Sequence, residues 1–436
     1  MIPIVSLSIE QAIGFKYWDY SKFNEKMNYF LNMLAFSLIF LICITPIIVI
    51  LYSLNCFSID YNMDKLPKYE FIVLAILFAF CTNIYRVLLA IFRNEKLIFN
   101  YSLLNIMYFI SLIIGSIIGV IVLNNGIKGA IEGRSIGFII VVAFSILLMF
   151  YKYRAVFTLD VKIIKPTIIV AIPLLFSQII GNFSFTLDRL IIEKYLGLSL
   201  LGIYSLAYSI TYVLDIMLNA LSNTIIPDLY EKIKNNINFD NSIIYGWFDF
   251  SILISSFFGL IGYLFINFFI SSIYHQSLNI IIILSLTIVP KTIQVYYNLY
   301  YFRDNKTQML LYLNIINLLI SAVLYLTFGM MFSIIGISIG VLSTSWIGLF
   351  ISIRFLKTGD KIQIKKYFTL SVIFISYYLT IIKENIFEIP SILASLILIL
   401  PLLILIVYYI IFEKKTLIYY SSLIKKNKNG SKITNY

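Results

Sequence analysis

The sequence predicts an all-α fold, that of a polytopic helical membrane protein, and three observations support this prediction. Of its 436 residues, 61% are hydrophobic and 12% are charged, whereas a soluble domain carries about 25% charged residues. Apolar runs of roughly 20 residues, long enough to cross a bilayer, follow one another from about residue 28 to residue 412. The runs are continuous rather than alternating, and backbone groups in lipid must be bonded within a helix or a closed barrel. The spans are therefore predicted to be helices.

Twelve full spans are predicted in this way. The opening residues 1–14 are too short to cross a bilayer alone. The predicted spans are residues 28–54, 69–92, 99–123, 129–151, 166–192, 198–226, 243–270, 277–301, 307–328, 331–356, 366–383 and 389–412.

Lysines and arginines support this division, because cytoplasmic loops carry an excess of these residues. When the loops are taken alternately, 24 of the 33 basic residues fall on one side, six fall on the other, and three lie within spans. The C-terminus falls on the basic side and is predicted to be cytoplasmic. We therefore expect a multi-pass protein of the cell inner membrane. The net charge of +12 is spread over loops rather than over a compact domain, so no nucleic-acid partner is expected.

The residues that commonly hold metals form no recognisable set. Cys43, Cys56 and Cys81 lie in or beside apolar segments, at spacings that match neither a metal site nor a disulfide framework. We interpret them as packing residues. The single histidine, His275, lies in a short loop between two predicted spans. No cofactor, metal site or catalytic residue is therefore predicted.

A segment that recurs at an offset of 210 residues predicts an internal duplication. Residues 92–96 (FRNEK) are similar to residues 302–306 (FRDNK). Each segment is followed by an apolar span with an Asn-Ile pair and then by a helix that opens with spaced glycines. An even number of spans in each copy makes the repeats parallel. The expected architecture is therefore two pseudo-symmetric helical bundles around a central cavity.

The duplication also predicts domain boundaries. Residues 1–162 would form the N-terminal bundle, residues 163–358 the C-terminal bundle, and residues 359–436 two additional transmembrane helices with a basic cytoplasmic tail. The second bundle begins near Pro166, which projects back to about 44 residues before Met1. The N-terminal bundle is therefore expected to lack its first helix.

Four short motifs lie close together at residues 173–177 (PLLFS), 187–192 (LDRLII), 195–197 (YLG) and 202–208 (GIYSLAY). They resemble the O-antigen flippases (Wzx type), which belong to the polysaccharide-transport branch of the superfamily that also contains the multidrug-exporting MATE proteins. Residues 8–12 (SIEQA) look like the end of that family's second helix. The family usually has a helix before this one, so the chain departs from the family at its N-terminus.

The resemblance implies that the chain translocates an undecaprenyl-diphosphate-linked oligosaccharide repeat unit across the inner membrane by alternating access. The expected partners are this lipid-linked oligosaccharide, membrane lipids and polysaccharide-assembly proteins. A MATE-type multidrug or cation exporter is an alternative, and it would prefer an acidic cavity. A polytopic membrane enzyme of polysaccharide assembly is a weaker alternative, because no predicted outer loop exceeds about 15 residues and no nucleophile motif is present. The chain is therefore not expected to be an enzyme.

Three basic residues remain inside the predicted spans. A diphosphate would need such groups, because unpaired charge is costly to bury in hydrocarbon. Lys291, Arg86 and Arg189 are therefore predicted to bind substrate. Lys291 lies near the middle of its span and follows Pro290, although a structural ion pair would also explain it. Arg86 could instead reach the headgroups from about two turns inside its span, and Arg189 could instead pair with Glu193 or another acid.

Roles in ion pairs or in coupling are predicted for Asp215, Asp188 and Glu10. Asp215 lies mid-span and needs a cation, a proton or a polar pocket, so it is either the partner of Lys291 or a coupling-ion site. Asp188 directly precedes Arg189 in the sequence. Glu10 and Asp249 lie near cytoplasmic helix ends, where they could form gating pairs with loop lysines or simply be solvated.

Overall fold

The computed structural model describes residues 8–20, 22–53, 68–122, 126–152, 160–235, 242–356 and 366–371. Within these residues the secondary structure is helical and contains no strand. The predicted all-α fold class is therefore confirmed. It follows from the apolar composition, because a continuous apolar segment in lipid must satisfy its backbone groups internally.

The helices follow the predicted spans closely. We number them α1 to α11, with short 3-10 turns at Tyr17–Asp19 and Ser272–Tyr274 and a π-helical turn at Ile118–Val122. The helices are α1 (Ile9–Lys16), α2 (Phe23–Ser53), α3 (Lys68–Asn94), α4 (Ile98–Ile117), α5 (Gly126–Lys152), α6 (Val161–Tyr195), α7 (Leu198–Lys234), α8 (Ser242–Phe269), α9 (Ser277–Ser285), α10 (Ile288–Arg303) and α11 (Thr307–Phe355).

Seven helical segments among the described residues are long and apolar enough to cross a membrane. The chain is therefore a multi-pass membrane protein. The two last predicted spans lie outside the described residues, apart from residues 366–371. The seven segments are Phe99–Val122, Lys128–Leu147, Val161–Tyr195, Leu198–Lys234, Ile244–Phe269, Ser277–Arg303 and Thr307–Phe355.

Helix α11 contains the two spans that the sequence predicts for residues 307–328 and 331–356. The backbone leaves the helical region at Phe332 (φ −131°, ψ 16°) and at Ser333 (φ 56°, ψ −141°). A β carbon at Gly336 would overlap the carbonyl oxygen of Phe328. Glycine at this position therefore permits the close approach of the chain on either side of the break.

The predicted span at residues 277–301 is also interrupted. Helix α9 ends at Ser285 and α10 begins at Ile288, and the hydroxyl of Thr287 donates a hydrogen bond to the carbonyl oxygen of Leu284 at 2.7 Å. Pro290 then occupies the first turn of α10, where its missing N–H breaks no intrahelical hydrogen bond. The break places Lys291 in the first turn of α10 rather than in the middle of a continuous helix.

The chain divides into two compact units. Unit 1 comprises residues 1–179, 227–231 and 305–311, and unit 2 comprises residues 180–226, 232–304 and 312–436. The division falls inside α6, between Ile179 and Ile180. The domain boundaries drawn from the repeat, after residues 162 and 358, stay a prediction.

Turns at corresponding places in the predicted repeat have the same backbone conformation. Lys96, between α3 and α4, and Asn305, between α10 and α11, both adopt the left-handed conformation, with φ 57° and 55°. Residues 92–96 and 302–306 contain these turns. The two left-handed residues are 209 positions apart, one fewer than the 210 positions that separate the motifs. The Asn-Ile pairs at residues 105 and 314 are also 209 positions apart.

Unit 1 contains a close helix pair whose contact depends on glycine. A β carbon at Gly115 of α4 would overlap the carbonyl oxygen of Gly133 of α5, and one at Gly119, in the π-helical turn that follows α4, would overlap the carbonyl oxygen of Gly129 of α5. Small residues at this spacing allow two membrane helices to approach until their backbones touch. This contact joins the span that follows the repeated motif to the next span of the unit.

We predict that Gly133→Ala destabilises the protein, because the added methyl group would have to push α4 away from α5. Overpacking of this kind costs about 1–3 kcal/mol. Gly181→Ala is the matched control, since Gly181 is helical and a β carbon there meets no atom within 4 Å. Thermal unfolding of the purified protein in detergent measures the difference. An equal or higher melting temperature for Gly133→Ala than for Gly181→Ala would contradict the close contact.

Candidate functional site

A cavity of about 720 Å³ lies within unit 2, between α6, α7 and α10. Its volume falls within the range of about 300–1,000 Å³ that is usual for ligand pockets. Its lining includes two cationic side chains and one carboxylate, together with amides, hydroxyls and aromatic rings. The lining residues are Asn182, Phe185, Thr186, Arg189, Tyr208, Ser209, Tyr212, Asp215, Leu218, Asn219, Ser222, Ile288, Lys291, Thr292 and Val295.

The helical period places the polar lining residues of α6 on one face of α6, and those of α7 on one face of α7. On α6 the positions 182, 186 and 189 are separated by four and three residues, which places them on one helix face. On α7 the stripe at 208, 212, 215, 219 and 222 repeats the same spacing over four turns. Both helices are otherwise strongly apolar. The polar stripe therefore faces the cavity, while apolar residues such as Met217 are exposed on other faces.

Lys291 and Asp215 are brought together on the cavity wall. The Nζ atom of Lys291 lies 3.4 Å from Oδ1 and 3.5 Å from Oδ2 of Asp215. The side chains retain 32% and 22% of their accessible surface, so the pair is open to the cavity rather than sealed in the interior. The ammonium group also lies 5.2 Å from the ring centroid of Phe185, within the range of a cation–π contact. Lys291 therefore lines the cavity and is also paired with Asp215, and its role in binding substrate stays a prediction.

Arg189 reaches the same cavity without a carboxylate partner among the described residues. Its guanidinium carbon lies 4.1 Å from the ring centroid of Tyr208. Its Nε atom is buried and has no hydrogen-bond partner in the described part of the chain. Stacking on an aromatic face is favourable for a guanidinium, but it does not supply a hydrogen-bond acceptor to the Nε–H group. The substrate-binding role of Arg189 stays a prediction.

Asp188 does not form the ion pair with the guanidinium of Arg189 that its position in the sequence suggested. Its carboxylate accepts a hydrogen bond from the Tyr204 hydroxyl at 2.6 Å and one from the backbone N–H of Arg189 at 2.7 Å. The residue is only 3% exposed. Asp188 is therefore held within the helix packing and does not line the cavity.

Arg86 and Glu10 lie in unit 1 and are not among the residues that line this cavity. The Nη1 atom of Arg86 lies 3.3 Å from Oε1 of Glu10, and their side chains are 38% and 13% exposed. Glu10 thus pairs with an arginine of a neighbouring helix rather than with a loop lysine. Asp249, the other acid considered for a gating pair, is buried in unit 2 and lies 3.6 Å from Nζ of Lys366. The substrate-binding role of Arg86 and the coupling role of Glu10 stay predictions.

Lys96 forms a second ion-pair group in unit 1, outside the apolar spans. Its Nζ atom lies 2.6 Å from Oδ1 of Asp228 and 3.0 Å from Oε2 of Glu231. Burial lowers the pKa of Lys96, but the hydrogen bonds and charges of the two carboxylates outweigh this effect and raise the pKa above its ordinary value. Lys96 is therefore cationic at physiological pH.

Sequence reasoning missed the uncharged part of the site. The cavity is also lined by Tyr208, Tyr212, Asn182, Asn219 and Phe185, and a search for charge within spans does not identify uncharged residues. The signal that could have found them is the recurrence of polar residues every three or four positions in an apolar segment. Such a stripe distinguishes a cavity wall from a surface that faces lipid.

Metal ligands were not expected, and the described residues contain no group of three or more His, Cys, Asp or Glu side chains that could hold a metal ion. Cys43 and Cys81 are free thiols. Cys56 lies outside the described residues. His275 caps the end of a 3-10 turn.

We predict that the α7 stripe is in contact with water. After Cys43, Cys56 and Cys81 are replaced by alanine, Asn219→Cys should react with a membrane-impermeant, positively charged methanethiosulfonate. Met217→Cys should react at least about tenfold more slowly, because Met217 is exposed but lies on another face and a thiol in hydrocarbon is not ionised. Labelling rates followed by mass shift would decide this. Equal rates at the two positions would contradict a hydrated cavity.

Solved transporter structures share this fold. A multidrug resistance MATE family transporter of the MOP superfamily, in an outward-facing conformation, aligns with a TM-score of 0.66 and 15% identity, over 81% of this chain and 84% of that one. A MOP superfamily transporter from Pyrococcus furiosus aligns with a TM-score of 0.63 and 16% identity, over 81% and 83%. A MATE transporter from Vibrio cholerae aligns with a TM-score of 0.66 and 13% identity, over 81% and 85%. At these identities the similarity demonstrates the fold.

Sequence similarity identifies the family. No curated protein sequence matches the chain. A family model described as polysaccharide biosynthesis protein matches residues 4–231, which is more than half of the chain. The predicted resemblance is therefore confirmed at the level of the family. The chain belongs to the polysaccharide biosynthesis protein family.

Proposed function

We propose that the chain is a flippase that moves an undecaprenyl-diphosphate-linked oligosaccharide repeat unit across the inner membrane by alternating access. The observation that carries the proposal is the unit 2 cavity, in which Arg189 and Lys291 stand among amides, hydroxyls and aromatic rings. The family match supports a role in polysaccharide biosynthesis. Membrane lipids and other polysaccharide-assembly proteins would be its partners.

The charge of the cavity favours an anionic substrate. A diphosphate cannot enter hydrocarbon without compensation, because burying an unpaired charge costs many times the thermal energy. Arg189 offers a planar guanidinium, the group best suited to phosphate oxygens, and Lys291 offers a compact ammonium. The lipid tail would remain in the bilayer while the headgroup occupies the cavity.

The neutral lining residues suit the sugar portion. Asn182, Asn219, Ser209 and Thr292 can each donate and accept hydrogen bonds, as sugar hydroxyls require. The cavity volume of about 720 Å³ accommodates part of an oligosaccharide rather than a long chain. In this proposal the cavity binds the diphosphate and the sugars nearest to it.

A cation exporter is the second candidate, because Asp215 supplies a carboxylate to the same cavity. One of the fold neighbours is described as a multidrug resistance transporter. Another, from Pyrococcus furiosus, is described as having a binding pocket of reverse polarity that suggests a different function. Two cations against one carboxylate line the cavity of this chain, which favours the flippase.

We predict that deletion of the gene causes the lipid-linked repeat unit to accumulate on the cytoplasmic leaflet and stops polymer from reaching the surface. Plasmid-borne wild-type protein should restore the polymer. Arg189→Gln and Lys291→Gln should restore it at least about tenfold less well, equivalent to about 1.4 kcal/mol of lost interaction, because the diphosphate loses a cationic partner. Extracted lipid-linked sugars and surface polymer, both normalised to protein in the membrane, provide the measurements.

Lys194→Gln is the matched control for these variants. Lys194 lies on α6 within two turns of Arg189 but does not line the cavity, so its replacement should leave polymer export intact. Arg189→Lys keeps the charge and tests whether the planar guanidinium itself is needed. Normal polymer in the deletion strain, with no second flippase present, would overturn the proposed function.

We further predict that the membrane potential contributes to the direction of transport. An inside-negative potential is worth about 2.3 kcal/mol per charge per 100 mV, so it pushes an anionic headgroup outward and draws an empty cationic cavity back. Transport by the purified chain in vesicles should therefore rise with an imposed potassium-diffusion potential of the correct sign. Indifference to this potential, together with dependence on a sodium or proton gradient, would contradict this prediction.

A further inference from the structure

The two cations of the unit 2 cavity are not in the same electrostatic state. Arg189 has no carboxylate partner among the described residues, and its Nε atom is buried without a hydrogen-bond partner. Lys291 faces both carboxylate oxygens of Asp215. An incoming anion therefore meets one cation that is available and one that is already occupied.

The pair of Lys291 and Asp215 is loose. Its distances of 3.4 Å and 3.5 Å exceed the roughly 2.7–2.9 Å of a tight charge-assisted hydrogen bond. Both side chains remain partly accessible from the cavity. Asp188, by contrast, is buried and accepts two bonds of 2.6 Å and 2.7 Å. Of these two acids, Asp215 is therefore the one that a competing anion can displace from its partner.

We infer that Asp215 is a built-in competing anion: it occupies Lys291 while the cavity is empty and gives way when the substrate's phosphate groups bind. This inference rests on the proposed function and deepens it, because it assigns the regulation of affinity at that site. The chemical basis is that carboxylate and phosphate oxygens are both acceptors for the same ammonium group.

The arrangement solves two physical problems of a carrier that returns empty. A lysine without a counterion inside a membrane protein is costly, and the carboxylate removes that cost whenever the substrate is absent. A cavity with two fully available cations would also hold a diphosphate too tightly to release it. Competition from Asp215 weakens the bound state without removing a cation. Asp215 is thus a positioning residue that acts through Lys291.

Arg189 and Asp215 lie at different heights along the axis of α7. Asp215 lies seven residues after Tyr208 on α7, which is about 10 Å along the helix axis, and Tyr208 carries the stacked Arg189. The cation that Asp215 occupies is therefore separate from the one that stacks on Tyr208.

The test measures binding of inorganic pyrophosphate to the full chain in lipid nanodiscs by equilibrium dialysis. Asp215→Asn should lower the Kd for pyrophosphate about two- to fivefold, the range expected when a partly exposed ion pair no longer competes. Asp228→Asn is the matched control, because Asp228 lies on the same helix and pairs with a lysine but does not line the cavity. It should leave the Kd unchanged. Arg189→Gln should weaken binding in either background.

Transport measurements separate this role from a purely structural one. Asp215→Asn should lower the KM for the lipid-linked substrate and also lower kcat, because release is slower and the unloaded carrier retains an uncompensated Lys291. A structural defect would lower kcat or the amount of folded protein without tightening binding. The double variant Asp215→Asn, Lys291→Gln should lose the gain in pyrophosphate affinity.

The outcomes distinguish this inference from the proposed function. If the wild-type chain binds pyrophosphate through Arg189 but Asp215→Asn binds it no more tightly, competition by Asp215 is refuted while the flippase proposal stands. If pyrophosphate binds to neither chain, the cavity is not an anion site, and both proposals are overturned. Tighter binding by Asp215→Asn alone, with the control unchanged, supports the inference.

Discussion

The cost of placing charge inside a membrane is the constraint on which the rest of this structure depends. Each of the three cations that the sequence places within spans has its own compensation: Lys291 by Asp215, Arg86 by Glu10, and Arg189 by the face of Tyr208. The first two are ion pairs, whereas the third leaves hydrogen-bond donors unused among the described residues. In the proposed mechanism Arg189 is therefore the cation more available to an anion, because a neutralised cation attracts a ligand less strongly.

The positions of the charged groups depend on breaks in the helices as well as on the helices themselves. Because of the interruption between α9 and α10, Pro290 lies in the first turn of α10, where it does not distort the helix. Lys291 follows it in the same turn. The break in α11 is accompanied by Gly336, where the backbone of Phe328 leaves no room for a side chain. Irregular backbone is tolerated at membrane depth when it is buried in protein or lines a cavity. The segment containing α9 and α10 is accordingly the most buried of the apolar spans described here.

The proposed substrate rests on two independent observations, the family match and the lining of the cavity. The family concerns polysaccharide biosynthesis, and the lining combines cations with the amide and hydroxyl groups that sugars and phosphates require. The fold alone does not choose between exporters and flippases, because transporters of this fold host different functions. Arg189 and Lys291 give this cavity more basic than acidic side chains, and in our proposal Asp215 neutralises Lys291 while the cavity is empty.

Much of the fold could be predicted from the sequence, because lipid imposes a simple rule on apolar segments. The spans at residues 166–192 and 198–226 were located from hydrophobicity alone, and they match α6 and α7 to within eight residues at each end. The three in-span cations could be found because such residues are rare in hydrocarbon. Their partners depend on which helices are neighbours. Tertiary structure alone therefore decided that Asp215 faces Lys291, that Asp188 turns to Tyr204, and that Arg189 stacks on Tyr208, since contacts between residues far apart in sequence depend on helix rotation and distance.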